Sequence, residues 1–406
     1  VTPSVVVSGI GIVSAFGTSH AAFVDGLLSG ESRIAPVRGF AIDGGRSTLA
    51  AEIRDFDPTP WVTPMKMRRL DRTGVYAIAA AKLALEDAGA TLSPDGEDEA
   101  GVVLGTWTAG GQSTQQFLDA LFRKGPTGAP ALLFDSTVGN SAASITGLEL
   151  KLRGPNVTVS HKEASGLCAV VTGVDHLREG RARAVLAGGV DAVYETFFKG
   201  HEKFNVMSRA PEFSAAVAPF DRERAGFVLG EGGFMLWLER VDSPSDRPPG
   251  YGEVLGVSAS SAAVPINAWP SSHDALVRTM RLAIEDAGVM PGDIAVVYAS
   301  ANASAGLDAA EARAIDTLFG DQRPLVTSIK GALGEFGASG SAACVAAFVC
   351  GRAGQVPPIA GLQHATAEAE SLRLVTRPTP LPGPLVLVNS VASGGALFSA
   401  VLRIAA

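Results

Sequence analysis

Residues 153–166 read RGPNVTVSHKEASG. The β-branched run Val157–Ser160 reads as a buried strand, and the small-residue stretch from Ser165 onward reads as the start of a helix over Ser165–Arg178. A strand that turns straight into a helix places the residue at the elbow beside free backbone N–H groups and the positive end of the helix dipole, a position that favours an anion or a nucleophile. The elbow residue here is Glu163.

Outward from that elbow, short apolar runs predict further strands at Val5–Val13, Gly101–Leu104, Ala184–Ala187 and Phe234–Leu238. A second set follows at Val254–Ser258, Ala295–Ala299, Leu325–Ser328, Leu385–Val388 and Leu397–Leu402. Stretches of helical length lie between them at Thr73–Ala88, Asp274–Ala287 and Gly331–Cys350. Strands alternating with helices predict an α/β protein with helix-covered sheets. Lys82–Gly89 (KLALEDAG) and Arg281–Gly288 (RLAIEDAG) lie 199 residues apart (281 − 82), and each ends a helix on glycine before a strand. Either E-D-A-G is a common helix end recurring by chance, or the chain is two copies of one α/β unit; the agreement of helix, cap and following strand favours duplication. The polar, proline-rich stretch Asp242–Gly250 (DSPSDRPPG) separates five strands from five, which predicts units at 1–241 and 251–406.

The 406 residues are 47% hydrophobic and 18% charged, enough for a large core, and a net charge of −8 without a basic run excludes a nucleic-acid or anionic-membrane surface. Three cysteines (Cys168, Cys344, Cys350) without C-x-x-C spacing make disulfide frameworks and zinc clusters poor readings, leaving a reducing cytoplasm as the expected setting. The N-terminal VTPSVVVSGIGIVSAFG lacks a basic leader and reads as a strand and turn, and no apolar run is long enough to span a membrane. No cofactor or metal is implied.

At the elbow the sequence resembles the β-ketoacyl synthases of the thiolase superfamily, whose matching strand ends V-S-T-A-C-A-S-G with the cysteine as acyl-accepting nucleophile. VSHKEASG (Val159–Gly166) puts Glu163 in that place. The resemblance continues through MRRLDRTGVYA (Met67–Ala77) and PFDRERAGFVLGEG (Pro219–Gly232), the latter close to the family's P-F-D-x-x-R-x-G-F-x-x-G-E-G. VYASANASAGLDAAE (Val297–Glu311) aligns Ser300 with the family's first catalytic histidine, and TSIKGALGEFGASG (Thr327–Gly340), one residue shorter than the pattern, aligns Glu335 with the second. Near the C-terminus Ser393 stands where the family has an acyl-gating phenylalanine. The implied fold is thiolase-like, with two duplicated halves in a five-layer α-β-α-β-α sandwich.

All three members of the Cys-His-His set are therefore replaced, by Glu163, Ser300 and Glu335. The family's condensation needs a thiolate to hold the acyl chain and two imidazoles for decarboxylation and enolate stabilisation. Carboxylates at two of the three places disfavour the developing negative charge. Lys330, Asp308, Glu311 and Glu231 remain as a polar network, in which Lys330 pairs with a buried carboxylate, Glu163 or Glu335. Cys168, Cys344 and Cys350 read as core.

A ketosynthase pattern without its triad resembles the chain-length factor, or β subunit, of type II polyketide synthases. That resemblance implies an active ketosynthase α subunit as heterodimer partner, an acyl carrier protein engaged through the complex, and a growing polyketide in the interface tunnel. The subfamily usually has Gln at the elbow, and its Trp-containing segment is replaced by DAVYETFFK at Asp191–Lys199; the second departure weakens an aromatic product and leaves room for a reduced, polyene-type chain. Residues Gly110–Lys124 (GGQSTQQFLDALFRK) read as a loop entering a helix, with Thr114, Phe117, Leu118 and Leu121 on one face. This face is either the gate that limits chain length or core and dimer contact. Other readings of the chain are a malonyl-carrier decarboxylase that primes synthesis, an enzyme using Glu163 and Glu335 as an acid/base pair, and a purely structural partner.

Overall fold

The structure is a computed structural model that describes residues 3–42, 44–246 and 248–405. Among these, eleven strands form one continuous sheet: β1 (Ser4–Val13), β2 (Ala100–Gly105), β3 (Asn156–Val159), β4 (Ala184–Asp191), β5 (Gly232–Val241), β6 (Gly252–Ser261), β7 (Val296–Tyr298), β8 (Leu325–Thr327), β9 (Arg373–Leu374), β10 (Leu385–Val391) and β11 (Ala396–Ile404). The spatial order is β9-β8-β7-β10-β11-β6-β1-β5-β4-β2-β3. All ten strands read from the sequence are present, with ends shifted by three residues or fewer apart from β4, which runs on to Asp191. Two-residue β9 was not foreseen.

The order contains a repeat. Counted along each half, the first five strands of the N-terminal half and β6, β7, β8, β10 and β11 of the C-terminal half both lie in the order 3-2-4-5-1. In both, the three strands at one side run parallel, and the last two are antiparallel to their neighbours. The first strands of the two halves meet where Val6 and Val7 pair with Glu253 and Gly252.

Seven helices matter to the layers: α1 (Arg72–Asp87), α2 (Gly111–Lys124), α3 (Ser141–Leu150), α4 (Ser165–Arg178), α5 (Asp274–Asp286), α6 (Ala305–Phe319) and α7 (Ser339–Arg352). Helices α1 and α3 cover the outer face of the N-terminal strands, α5 and α6 that of the C-terminal strands, and α4 and α7 lie between the two. The sandwich is thus α-β-α-β-α. Thirteen of the fourteen residues of α7 are buried, which explains its apolar character all round. Helices α4 and α7 meet closely enough that a methyl at Gly340 would lie 2.7 Å from Leu167 Cβ, and one at Gly166 would lie 2.8 Å from Ser341 Oγ.

The repeated E-D-A-G segments do the same work in each half. Asp87 accepts a hydrogen bond from the Ile10 amide on β1 and Asp286 from the Val257 amide on β6, both at 2.8 Å. A β-carbon on Gly9 would sit 2.1 Å from the Ala84 carbonyl oxygen, and one on Gly256 2.3 Å from that of Ala283. Each glycine therefore admits its helix at backbone contact. Gly89 and Gly288 end these helices at φ +61° and +66°, as their capping role requires.

One expected element is corrected. Gly331–Cys350 is not a single helix: a turn at Lys330–Leu333 is followed by a break, and α7 begins at Ser339. Gly334 causes it, with φ +75° and a β-position 2.9 Å from the backbone of Leu229 and Gly230, where any side chain would collide. In the linker, Pro244–Asp246 forms a short 3-10 turn, and Arg247 lies outside the described residues.

Candidate functional site

The break before α7 and the elbow before α4 face each other, joined by the Gly166 amide donating to the Gly337 carbonyl at 2.7 Å. At the elbow, Lys162 is held at φ +49° and Lys162–Ala164 form a 3-10 turn. Ser165 stabilises that turn, its hydroxyl accepting from the His161 amide (2.9 Å) and donating to the Lys162 carbonyl (2.7 Å). The Glu163 side chain points inward and the residue is 1% exposed. Its Oε1 accepts from Ser393 Oγ at 2.8 Å and its Oε2 from the Ser393 amide at 3.0 Å. Burial, reinforced by the nearby Glu335 charge, pushes its carboxyl up to about 7.

Glu335 sits in the break, fully buried and enclosed by donors. Its Oε2 accepts from Lys330 Nζ and Asn302 Nδ2, both at 2.7 Å; its Oε1 accepts from Ser339 Oγ at 2.8 Å and the Phe336 amide at 3.1 Å. Lys330 thus pairs with Glu335, while Glu163 takes Ser393 instead. Lys330 also donates to the Ser300 carbonyl at 2.8 Å and lies 3.3 Å from Ser300 Oγ, which accepts from the Val391 amide at 2.9 Å. The Ser300 amide donates to Glu311, which also accepts from Asn389 Nδ2. Burial raises the Glu311 carboxyl, and its Oε2 has no hydrogen-bond partner among the described residues. Asp308 accepts from the Phe220 and Asn302 amides at 2.7 and 2.9 Å and lies 3.6 Å from Arg224; burial outweighs these contacts and lifts it to about 7.

Of the expected polar network, Glu231 stands apart. It pairs with Arg72 and accepts from the Ile53 and Val193 amides at 2.7 and 2.8 Å, tying the residue just before β5 to the segments around Ile53, Arg72 and Val193. Two members of the site went unread in the sequence. Asn302 bridges Glu335 and the Asp308 turn, and fully buried Asp191, at the end of β4, gathers the Trp107, Thr108 and Ala338 amides at 2.7–2.9 Å. Burial pushes Asp191 up to about 6. A charged residue closing the apolar run AVLAGGVD was the available signal. Cys168, Cys344 and Cys350 are buried, and burial raises their thiols to about 11, 12 and 12, which fits core rather than nucleophile.

A pocket of about 290 Å³ opens over Glu163, walled by Trp107, His201, Phe227 and Trp269, with Lys162 and Ser393 at its polar end. A separate hollow of about 420 Å³ lies against α2, which spans the expected residues. Thr114 and Leu118 line it together with Tyr194, whose hydroxyl occupies the space that a side chain on Gly111 would need. Phe117 packs instead on Phe134, ring centroids 5.7 Å apart, and Leu121 is half-buried away from the hollow. The four expected gate residues are thus split between two surroundings.

Glu163, Ser300 and Glu335 supply neither a thiol nor an imidazole. What the site holds is a set of buried carboxylates, one buried ammonium and serine hydroxyls. Among the described residues no group of three or more His, Cys, Asp or Glu could hold a metal ion.

Residues 2–243 match the family model of the β-ketoacyl synthase N-terminal domain and residues 251–363 that of its C-terminal domain. The chain belongs to the β-ketoacyl synthase family. Its relatives within that family include the tetracenomycin polyketide synthase ketoacyl synthase beta subunit of Streptomyces glaucescens, 32% identical with 98% of each chain covered. The 3-oxoacyl-[acyl-carrier-protein] synthase 2 of Synechocystis sp. is 28% identical, covering 96% of this chain and 95% of the relative. Among solved structures, the ishigamide ketosynthase/chain length factor superposes with a TM-score of 0.92 at 29% identity, each chain covered completely. Like these synthases, the chain has the thiolase-like fold. Among the described residues no helix is long and apolar enough to cross a membrane.

Proposed function

We propose that the chain is the ketosynthase-like β subunit of a type II polyketide synthase: it pairs with an active ketosynthase α subunit, does not itself condense, and sets the length of the polyketide. The observation that carries this reading is the state of the elbow. Glu163 stands where the family's acyl-accepting thiol would be, bonded through both oxygens to Ser393, while Ser300 and Glu335 fill the imidazole places and are themselves engaged. A thioester has nowhere to be transferred on the usual path, and Ser300 and Glu335 offer no imidazole to assist decarboxylation. The similarity to the tetracenomycin beta subunit and the ishigamide chain length factor supports the same role.

Pairing is supported by an unfinished surface. Strand β3 is an open edge. Around α2, Leu118, Phe122, Phe134 and Val138 are 39%, 81%, 60% and 51% exposed, an apolar patch that calls for cover. The hollow lined by Thr114, Leu118 and Tyr194 opens beside this patch and is the proposed end of the polyketide tunnel. Residues 1–241 and 251–406 are the proposed duplicated halves. The setting is the cytoplasm, with an acyl carrier protein engaged through the complex and a reduced, polyene-type chain as product. No cofactor is required.

Co-expression with a candidate ketosynthase tests this. A heterodimer is expected on size-exclusion chromatography, Leu118→Ala should lengthen the product and Thr114→Trp should shorten it. A stable monomer without affinity for any ketosynthase would overturn the pairing. Unchanged product lengths with activity preserved would leave the chain a purely structural partner, and carbon dioxide release from malonyl carrier by this subunit would make it a priming decarboxylase.

A further inference from the structure

We propose that Ser393, Glu163 and Lys162 form a reaction centre that hydrolyses short, neutral acyl thioesters, an activity beyond the pairing and length control proposed above. The three polar groups are in hydrogen-bond contact at the end of one pocket. Ser393 Oγ donates to Glu163 Oε1 at 2.8 Å, and Lys162 Nζ lies 3.3 Å from the same hydroxyl oxygen. The hydroxyl therefore has a carboxylate to take its proton and an ammonium to stabilise negative charge on or beside its oxygen, the arrangement an activated serine needs.

The surroundings hold this geometry. The Ser393 amide donates to the other oxygen of Glu163, which fixes the carboxylate against the serine. Ser393 begins a turn whose next two residues, Gly394 and Gly395, have φ +106° and +91°, with the Gly394 amide anchored on the Ala268 carbonyl. Lys162 adopts φ +49°, a conformation that costs a non-glycine residue energy and that is found where a side chain is being aimed. No ion pair among the described residues includes Lys162; its ammonium is held by Asn267 Oδ1 and Ser393 instead. This leaves the Asn267 amide group as a further donor at the pocket. The apolar walls, Trp107, Phe227 and Trp269, limit water around the reacting atoms and suit a neutral acyl group. With its carboxyl near 7, Glu163 is present both as the base that takes a proton and as the acid that returns it.

The reaction balances with water as the second reactant. Ser393 Oγ attacks the thioester carbonyl carbon as its proton passes to Glu163, and the oxyanion forms within reach of the Lys162 ammonium. The C–S bond breaks, the sulfur leaves with the proton from Glu163 as a thiol, and Ser393 carries the acyl group as an ester. Water then attacks that ester, giving its proton to Glu163; the acid departs and Ser393 recovers its hydrogen. A β subunit with this activity would clear acyl groups that stall on the carrier arm, a role the condensing partner cannot take without losing its own intermediate.

The test uses the chain in complex with a ketosynthase whose nucleophilic cysteine is replaced by alanine. Acetyl- and hexanoyl-N-acetylcysteamine are the substrates, with thiol release followed by absorbance and acylation by intact-protein mass spectrometry. Saturable thiol release is expected, falling by ~100-fold or more in Ser393→Ala and in Glu163→Gln. Ser393→Cys should retain a covalent acyl adduct at position 393, which distinguishes loss of the nucleophile from loss of the fold. Equal thiol release by the parent and Ser393→Ala, or an acyl adduct only at another residue, overturns the proposal. Pairing and product length are read separately, so a complex that pairs without hydrolysis refutes this centre alone, and hydrolysis by a chain that does not set product length refutes only the earlier reading.

Discussion

Replacing Lys330 by methionine should be among the most damaging single changes in the chain. The ammonium, 6% exposed, reaches Glu335 Oε2 at 2.7 Å and the Ser300 carbonyl at 2.8 Å. Methionine fills similar volume but leaves the fully buried Glu335 without a cation. Removing one partner of a buried ion pair costs about 3–5 kcal/mol, because the remaining charge stays desolvated. Here Asn302, Ser339 and the Phe336 amide still donate to Glu335, which places the expected loss near the lower end, about 3 kcal/mol. The second half of the test is Glu335→Gln in the Lys330→Met background. The amide is neutral and can keep part of the donor set, so the double variant should recover about 1–2 kcal/mol relative to Lys330→Met. Urea unfolding followed by tryptophan fluorescence and far-ultraviolet circular dichroism measures both. A Lys330→Met variant within about 1 kcal/mol of the parent, or a double variant no more stable than the single one, would refute the argument that Glu335 depends on Lys330.

Three further outcomes are expected. Gly9→Ala and Gly256→Ala, at corresponding places in the two halves, should each cost about 1–3 kcal/mol by forcing strand from helix, and a loss at one site only would break their equivalence. Glu163 and Asp191 are raised to about 7 and about 6, so each holds its proton more tightly in the folded chain than in the unfolded one; the stability this gives is full below pH 4 and lost as pH rises through 6–7. Thermal denaturation should therefore show a decline that begins above about pH 4.5 and levels off above about pH 7, which Glu163→Gln reduces, and a melting temperature that rises across this range would contradict the assignment. Phe117→Ala should weaken packing on Phe134 and leave product length unchanged, unlike Leu118→Ala; a longer product from Phe117→Ala would return Phe117 to the gate.

The strands and most helices were legible because buried β-branched runs and glycine caps are local signals. The repeated E-D-A-G ends carried the duplication, and their carboxylates proved to bind matching amides on β1 and β6. The break at Gly334 was not legible, since alanine- and glycine-rich sequence on both sides has helical character and only the close backbone of Leu229 and Gly230 forbids continuation. The partner of Lys330 was equally hidden: Glu163 and Glu335 are both carboxylates near it in alignment, and the choice depends on a loop, Ala392–Gly395, that brings Ser393 to Glu163 first. Helical periodicity grouped Thr114, Phe117, Leu118 and Leu121 on one face but could not show that Phe134 would claim part of it.

The mirrored strand order has a consequence for how far assembly can go. Because the two halves join through their first strands, each half turns its third strand outward, and those two ends are not alike. The C-terminal end is closed off by two-residue β9, too short to template another chain, whereas the N-terminal end finishes on four-residue β3 beside exposed apolar side chains. A molecule with one adhesive end and one blunted end cannot propagate: once two such ends meet, nothing remains to recruit a third. Growth by sheet addition is thereby capped at a pair, a form of control over stoichiometry that resides in the backbone and would survive wide exchange of side chains around it.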